Sequence, residues 1–206
     1  MGRRQILESA ITAKSPEALG DLYSQWAGSY DNDLLNEMGY KAPATTASIF
    51  QQFHTDKVGT ILDVGCGTGI VGALLSDSGY PAIEGLDYSD AMLHEAKKKG
   101  VYRELFQADL NKTLTVANDR YSALISVGTF TFAHVGPEAL HELIRITRPG
   151  GVICFTVRSE AWNEHGYKGF TEDLEAQGKW ALLDRQTIDY IEEEHSTCEV
   201  LVYRVS

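Results

Sequence analysis

The sequence predicts an α/β protein built on a mostly parallel sheet with helices on both faces. Three observations carry that prediction. From Gly59 onward, short β-type runs alternate with helical ones in the order TILDV, IVGALLSDSG, PAIEGL, SDAMLHEAKKKG, ELFQA, SALISV, PEALHELIRIT and GVICFTV, as successive βαβ units do. A glycine-rich turn, GCGTG, joins the first strand of that series to its first helix. The last two β-type runs, WALLDRQTIDYI and TCEVLVYRV, have no helix between them, so they should pair antiparallel as a hairpin at the end of the sheet.

Taken in order, residues 1–55 read as helical, with Pro16 and Pro43 as helix starts, since proline suits a first helical turn. No linker composition separates this segment from residues 56–206, and no internal repeat is visible. The first strand spans Thr60 to Val64. Gly79 and Gly100 stop the two helices that follow, as glycine does at a left-handed C-terminus. After Pro137, Leu140, Leu143, Ile144 and Thr147 recur at i, i+3, i+4 and i+7, with Arg145 and Arg148 off that stripe. This is a helix with one apolar face, and Pro149-Gly150-Gly151 is expected to end it. Past Arg158 a loop holding Trp162, His165, Gly166 and Gly169 is expected to lead to a short helix near Thr171 to Gln177.

Composition narrows the classes of function. The chain has 206 residues, 43% apolar and 23% charged, which suits one folded domain and argues against disorder. No apolar run approaches the roughly 18–20 residues that cross a bilayer, and the start, MGRRQILESAITAKS, lacks the apolar core of a signal peptide. The expectation is a cytoplasmic protein without a membrane segment. Cys66, Cys154 and Cys198 are odd in number and widely spaced, so they read as reduced thiols, with no metal site. With 18 Lys and Arg against 29 Asp and Glu, the net charge is −11, which repels a phosphate backbone. The basic run Lys97–Lys99 sits at a helix end, where cations complement the dipole.

The most informative stretch is ILDVGCGTGIVG. Gly65, Gly67 and Gly69 let the backbone turn sharply and bring a ligand close to main-chain N–H groups and the next helix start. A dinucleotide fingerprint would place its third glycine at position 70, which is Ile70, and the lysine of a P-loop is missing. The spacing is therefore G-x-G-x-G. Twenty residues after Gly67, Asp87 ends the second strand, where a carboxylate can accept both hydroxyls of a ribose. Asp109 ends the third strand in the same manner. Either acid alone could be a helix cap; both beside the glycine turn point to a nucleoside-bearing ligand.

This combination resembles the class I S-adenosylmethionine-dependent methyltransferases over about residues 20–206. DVGCGTG looks like their glycine motif, and RPGG followed by VICFTV resembles the helix end and fifth strand of the same family. The resemblance implies a Rossmann-like seven-stranded sheet with the C-terminal hairpin, and the N-terminal helices as a lid over the cofactor, S-adenosylmethionine, which leaves as S-adenosylhomocysteine. It implies Asp63 near the methionine end, Asp87 on the ribose diol, Asp109 on the adenine amine and Leu110 backbone beside it. Cys66, Tyr88 and Val127 are expected at the same site. LYSQWAGSYDNDLLNEMGYKAP and TFAHVGPEALHELIRITRPGG resemble more narrowly the small methyltransferase-like group related to the Williams–Beuren syndrome region protein, which implies that Tyr30 closes over the methionine moiety.

The acceptor side is less defined. His134 follows the fourth strand, where ligands of open α/β sheets sit, and an ordinary pKa of about 6.5 suits proton traffic. It is a candidate general base or substrate contact; a backbone-bonding or helix-starting role is the alternative. Trp26, Tyr40, Phe130, Phe132 and Trp162 could wall an apolar acceptor pocket, or could equally be core. Ser126-Val127-Gly128-Thr129 stands where enzymes of this fold that methylate nucleic-acid amines carry Asn/Asp-Pro-Pro-Tyr/Phe. The expected acceptor is thus a small molecule presenting O, N, S or C, and not a nucleic acid. A non-methyl-transfer reaction on the same cofactor, or a regulatory cofactor-binding module, remains an alternative; acceptor and oligomeric state are not set by these motifs.

Overall fold

A computed structural model describes residues 16–131 and 135–206; His134 and Phe132 lie outside the described residues. Five strands run parallel, β1 (Ile61–Val64), β2 (Ile83–Asp87), β3 (Glu104–Gln107), β4 (Tyr121–Phe130) and β5 (Thr147–Arg158). Two more, β6 (Trp180–Asp189) and β7 (Thr197–Val205), form the antiparallel C-terminal hairpin. The sheet order is β3-β2-β1-β4-β5-β7-β6, so the mostly parallel, seven-stranded sheet expected from the sequence is the one observed. From β1 the chain winds outward to β3, then returns to the other side of β1 with β4. That reversal opens a crevice at the carboxyl ends of β1 and β4.

Helices cover both faces: α1 (Pro16–Trp26), α2 (Ala42–Phe53), α3 (Ile70–Asp77), α4 (Asp90–Lys98), α5 (Ala139–Ile146), α6 (Ser159–Glu164) and α7 (Tyr167–Ala176), with a π-helical turn at Asn32–Glu37. Successive strand residues point to opposite faces, and because both faces of the sheet are covered, β1 and β4 are mostly apolar, with Asp63, Ser122 and Ser126 among their buried polar residues. Leu62, Leu124, Ile153 and Leu201 pack with Leu140 and Leu143 of α5 and with Trp162, Tyr167 and Leu174. Their neighbours Ile61, Ala123, Cys154 and Val200 face the other way, onto Phe50 of α2 and Val71 and Leu75 of α3. Each such buried side chain contributes about 1.5–3 kcal/mol. Among the described residues no helix is long and apolar enough to cross a membrane.

Two sequence expectations need correction. Helix α5 ends at Ile146, before Pro149-Gly150-Gly151. Thr147 has extended backbone, pairs with Tyr121, and starts β5 through an irregular register. The glycines serve that crowded strand start, since a Cβ at Gly151 would lie 2.8 Å from the Arg148 carbonyl and 2.9 Å from that of Ser122. The loop expected after Arg158 is instead the helices α6 and α7, parted at Gly166 with φ +77°. Neither is long enough to hold by propensity; the burial of Ala161, Trp162, Tyr167 and Leu174 fixes them.

Arg145, off the apolar stripe of α5, has a definite task. Its guanidinium donates to the carbonyls of Val116 (2.8 Å) and Leu114 (3.1 Å) and to Glu142 (2.7 Å), while Glu142 accepts the Leu114 N–H at 2.8 Å. The pair clamps the connection between β3 and β4 onto α5. Arg145→Ala is expected to lower stability by about 2 kcal/mol, the scale of charge-assisted hydrogen bonds, read as a lower urea midpoint at unchanged slope. The exposed Arg148→Ala should change it by no more than about 0.5 kcal/mol.

Candidate active site

The site begins where β1 ends. Gly65, Gly67 and Gly69 have φ of +68°, +53° and +87°, a left-handed region that glycine alone occupies without strain. The Cys66 N–H donates to the Leu86 carbonyl and the Gly69 N–H to the Cys66 carbonyl, so the turn is pinned to β2 and closes on itself. Asp87, at the end of β2, accepts the Gly67 N–H (2.8 Å) with one oxygen and the Ser89 N–H (2.9 Å) with the other. Ser89 in turn caps α4 by accepting the Met92 N–H. Burial pushes the Asp87 carboxyl up, against the pull of those N–H groups.

A cleft opens over this frame. Gly65, Gly67, Leu86, Asp87 and Tyr88 form one wall, Asp109, Leu110 and Asn111 the next. Val127, Gly128, Thr129, Thr131 and Val135 form the floor, and Tyr23 and Tyr30 the cover. Its empty space, counted with its solvent mouth, is about 880 Å³, within the range of small-ligand sites. A Cβ at Gly67 would meet nothing within 4 Å, so backbone is bare there for a ligand to approach. Asp109 is partly exposed; burial raises its carboxyl, but the Asn111 N–H and Lys112 outweigh that and hold it below the usual range. A glycine turn with bare backbone at Gly67 and two carboxylates, one deep and one near the rim, fits a ribose and an amino-purine.

The N-terminal segment is fastened to this frame. Asp31 accepts from the Thr68 hydroxyl, in the glycine turn, and pairs with Lys99 at the end of α4. Tyr30 packs edge-on against Trp26 (4.7 Å between ring centres), and the Trp26 Nε1–H donates to the buried Asp33 at 2.9 Å. Tyr23, Trp26 and Tyr30 recur at i, i+3 and i+7, a spacing that would have flagged Tyr23, which sequence reading passed over. Thr129 and Thr131 were also missed, as was Tyr102, which lies behind the glycine turn.

Of the residues expected at the cofactor, Tyr30, Gly65, Gly67, Asp87, Tyr88, Asp109, Leu110 and Val127 line one cleft. Asp63, Cys66 and Gly69 do not. Asp63 is 1% exposed and accepts the Tyr102 hydroxyl at 2.7 Å. The Cys66 thiol packs with Leu93 and Ala96, and Gly69 precedes α3 with Tyr102 beside it.

The aromatics proposed for the acceptor wall are corrected more sharply. Phe130 is fully buried against Phe155 and Tyr167, and Trp162 lies in the same core beneath the Arg185 guanidinium. Trp26 supports Tyr30 from behind. Tyr40 is buried against Tyr190, one layer below Gly128. The apolar gain of burying such rings outweighs any exposed placement. Among the described residues, no three His, Cys, Asp or Glu side chains are grouped to hold a metal ion.

Fold and site together define an open-sheet α/β protein whose cleft, beside a G-x-G-x-G turn, fits an adenosine-bearing cofactor. Residues 61–151 match the family model described as methyltransferase domain. Human methyltransferase-like protein 27 is 31% identical over 173 residues, which is 81% of this chain and 70% of that protein. The 18S rRNA (guanine-N(7))-methyltransferase of Bos taurus is 36% identical over 72 residues, 35% of this chain and 25% of its own length. Among solved structures, the [4+2]-cyclase SpnF superposes with a TM-score of 0.73 at 15% identity, covering 94% of this chain and 97% of that one. The chain belongs to the class I S-adenosylmethionine-dependent methyltransferases.

Gly67 offers a direct test of the cleft. Gly67→Ala should fold with a stability loss of about 1–2 kcal/mol from the left-handed backbone. Its methyl enters the cleft, so calorimetry should show affinity for S-adenosylhomocysteine lower by about tenfold or more, the scale of one lost contact.

Proposed function

We propose that the protein transfers the methyl group of S-adenosylmethionine to an O, N, S or C nucleophile of a small-molecule acceptor that is not an anion. The observation that carries this is the composition of the cleft beyond the glycine turn. Its floor and cover are Val127, Thr129, Thr131, Val135, Tyr23 and Tyr30, apolar surface with a few hydroxyls. Among the described residues, its charged lining groups are Asp87 and Asp109, both on the cofactor side. Among the described residues, a carboxylate or phosphate acceptor would meet no cation there, and burying an unpaired charge is costly.

In this reading Asp87 and Asp109 hold ribose and adenine, and the Gly65–Gly67 backbone lies along the methionine portion. Bound S-adenosylmethionine supplies an electrophilic methyl whose transfer discharges a sulfonium. The protein's part is alignment and exclusion of water, worth up to about 7–11 kcal/mol in favourable cases. Tyr30, braced by Trp26, covers the reacting region. His134 is proposed to hold the acceptor or take its proton; the described residues nearest to it in sequence on either side, Thr131 and Val135, both line the cleft. The net charge of −11 supports an acceptor other than nucleic acid, and a cytoplasmic setting accords with the spread-out, unpaired Cys66, Cys154 and Cys198.

Calorimetry against S-adenosylmethionine, S-adenosylhomocysteine and NAD comes first, with binding expected for the first two alone. Incubation with a metabolite library should then give an acceptor heavier by one methyl. Modified bulk RNA without a small-molecule product would overturn the acceptor class. Cofactor binding without any methylated product would favour cyclisation, elimination, decarboxylation or a regulatory role. Asp87→Ala should weaken S-adenosylhomocysteine binding at least about tenfold, as expected for losing charged hydrogen bonds; unchanged affinity would remove Asp87 from the ribose. His134→Ala should lower turnover with nearly unchanged cofactor affinity.

A further inference from the structure

Behind the glycine turn, one tyrosine occupies space that three glycines leave for it. Tyr102 sits in the connection between α4 and β3. A Cβ at Gly72 would fall 2.1 Å from its hydroxyl oxygen, one at Gly69 2.9 Å from its ring, and one at Gly85 3.0 Å from the ring. Gly69 and Gly72 belong to the start of α3 and Gly85 to β2, so two elements omit side chains along the path of one ring. Gly69, the last glycine of the cofactor motif, is thus required by Tyr102 as well as by its own φ of +87°.

At the end of this slot the Tyr102 hydroxyl donates to Asp63 Oδ2 at 2.7 Å. Asp63 is buried on β1, paired in register with Gly85 on one side and Ile125 on the other, and Gly72 supplies a further N–H. From the adjoining elements, the titratable groups that face this carboxylate are Tyr102, Asp87 and Cys66. The carboxylate is therefore enclosed at the root of the turn, two residues before Gly65.

We propose that Tyr102 and Asp63 are positioning residues for the cofactor loop: the phenol fills the slot of Gly69, Gly72 and Gly85 and fixes the carboxylate, which acts on the bound cofactor through the loop and through its charge, without contact. The inference rests on the reading of the cleft as an S-adenosyl site. An ionised Asp63 behind the loop favours a cationic ligand in front of it. Burial pushes the carboxyl up to about 7 while the Tyr102 hydrogen bond pulls it down. Below that pH the charge is neutralised and its attraction for the cofactor's cationic groups is lost, so affinity should fall on acidification.

The test is calorimetric titration of the full-length protein with S-adenosylhomocysteine between about pH 6 and 9, bracketing the Asp63 titration. Tyr102→Phe keeps the ring and removes only the donor. It should weaken binding about tenfold at neutral pH, the scale of one buried hydrogen bond. Its acid limb should move to higher pH, because the group that favoured the charged form is gone. Asp63→Asn should remove that limb. Tyr102→Ala empties the slot and should also lower Tm; the Phe variant separates packing from positioning. Wild-type affinity and profile in Tyr102→Phe, or weakened binding with the acid limb in place, would overturn the assignment alone. A wild-type protein that binds no S-adenosyl compound would overturn both this and the reading beneath it.

Discussion

The two-sided acceptance of N–H groups by Asp87 is the bond on which the cleft depends. One oxygen takes the Gly67 N–H and the other the Ser89 N–H, so a single carboxylate joins the end of β2, the glycine turn and the start of α4. Each carboxylate oxygen has a second acceptor site, and Asp87 lines the cleft. The same group that shapes the loop therefore also faces the cleft as an acceptor. The acid thus stands at the carboxyl end of β2, next to the end of β1, where the crevice opened by the reversal of sheet order begins.

The floor of the cleft comes from a fault in a strand. Strand β4 pairs with β5 up to Ser126 and again at Phe130, and the residues between leave the ladder to face the cleft. Such bulges recur beside active sites because they re-aim side chains. The backbone remains satisfied: the Gly128 N–H donates to Thr156 Oγ1 at 2.9 Å, and the Ser126 and Thr129 hydroxyls both donate to the Val64 carbonyl. The end of β4 is thereby stitched to the end of β1. Tyr40 and Tyr190 back this floor, so the aromatic content of the region stiffens the site from one layer behind.

The glycine turn, the acids Asp87 and Asp109 after their strands, and the succession of strands and helices were legible in the sequence because each answers a local requirement. Positive φ needs glycine, parallel strands buried on both faces need apolar runs, and a ligand at strand ends needs acceptors there. Phe130 and Trp162 were not legible as core, since an aromatic near a strand end has the same sequence pattern whether it faces ligand or interior. Helices α6 and α7 were hidden for a related reason. Their short, mixed sequences become helical only when Trp162, Tyr167 and Leu174 find the sheet. Asp63 shows the same limit at one atom. Its place in the motif could be read, but the phenol that claims its carboxylate lies 39 residues away.

The stitching of the site also sets how it assembles. The wall that includes Asp87 closes over short chain separations, such as the 20 residues between Gly67 and Asp87. The cover and floor need longer ones: 37 residues from Asp31 to Thr68, 62 from Val64 to Ser126, and 68 from Asp31 to Lys99. Loop-closure entropy rises with separation and slows contacts of this kind. A nascent chain that has emerged through Asn111 already contains every residue of both walls, whereas the floor awaits β4. Synthesis thus completes the walls of the cleft before its floor.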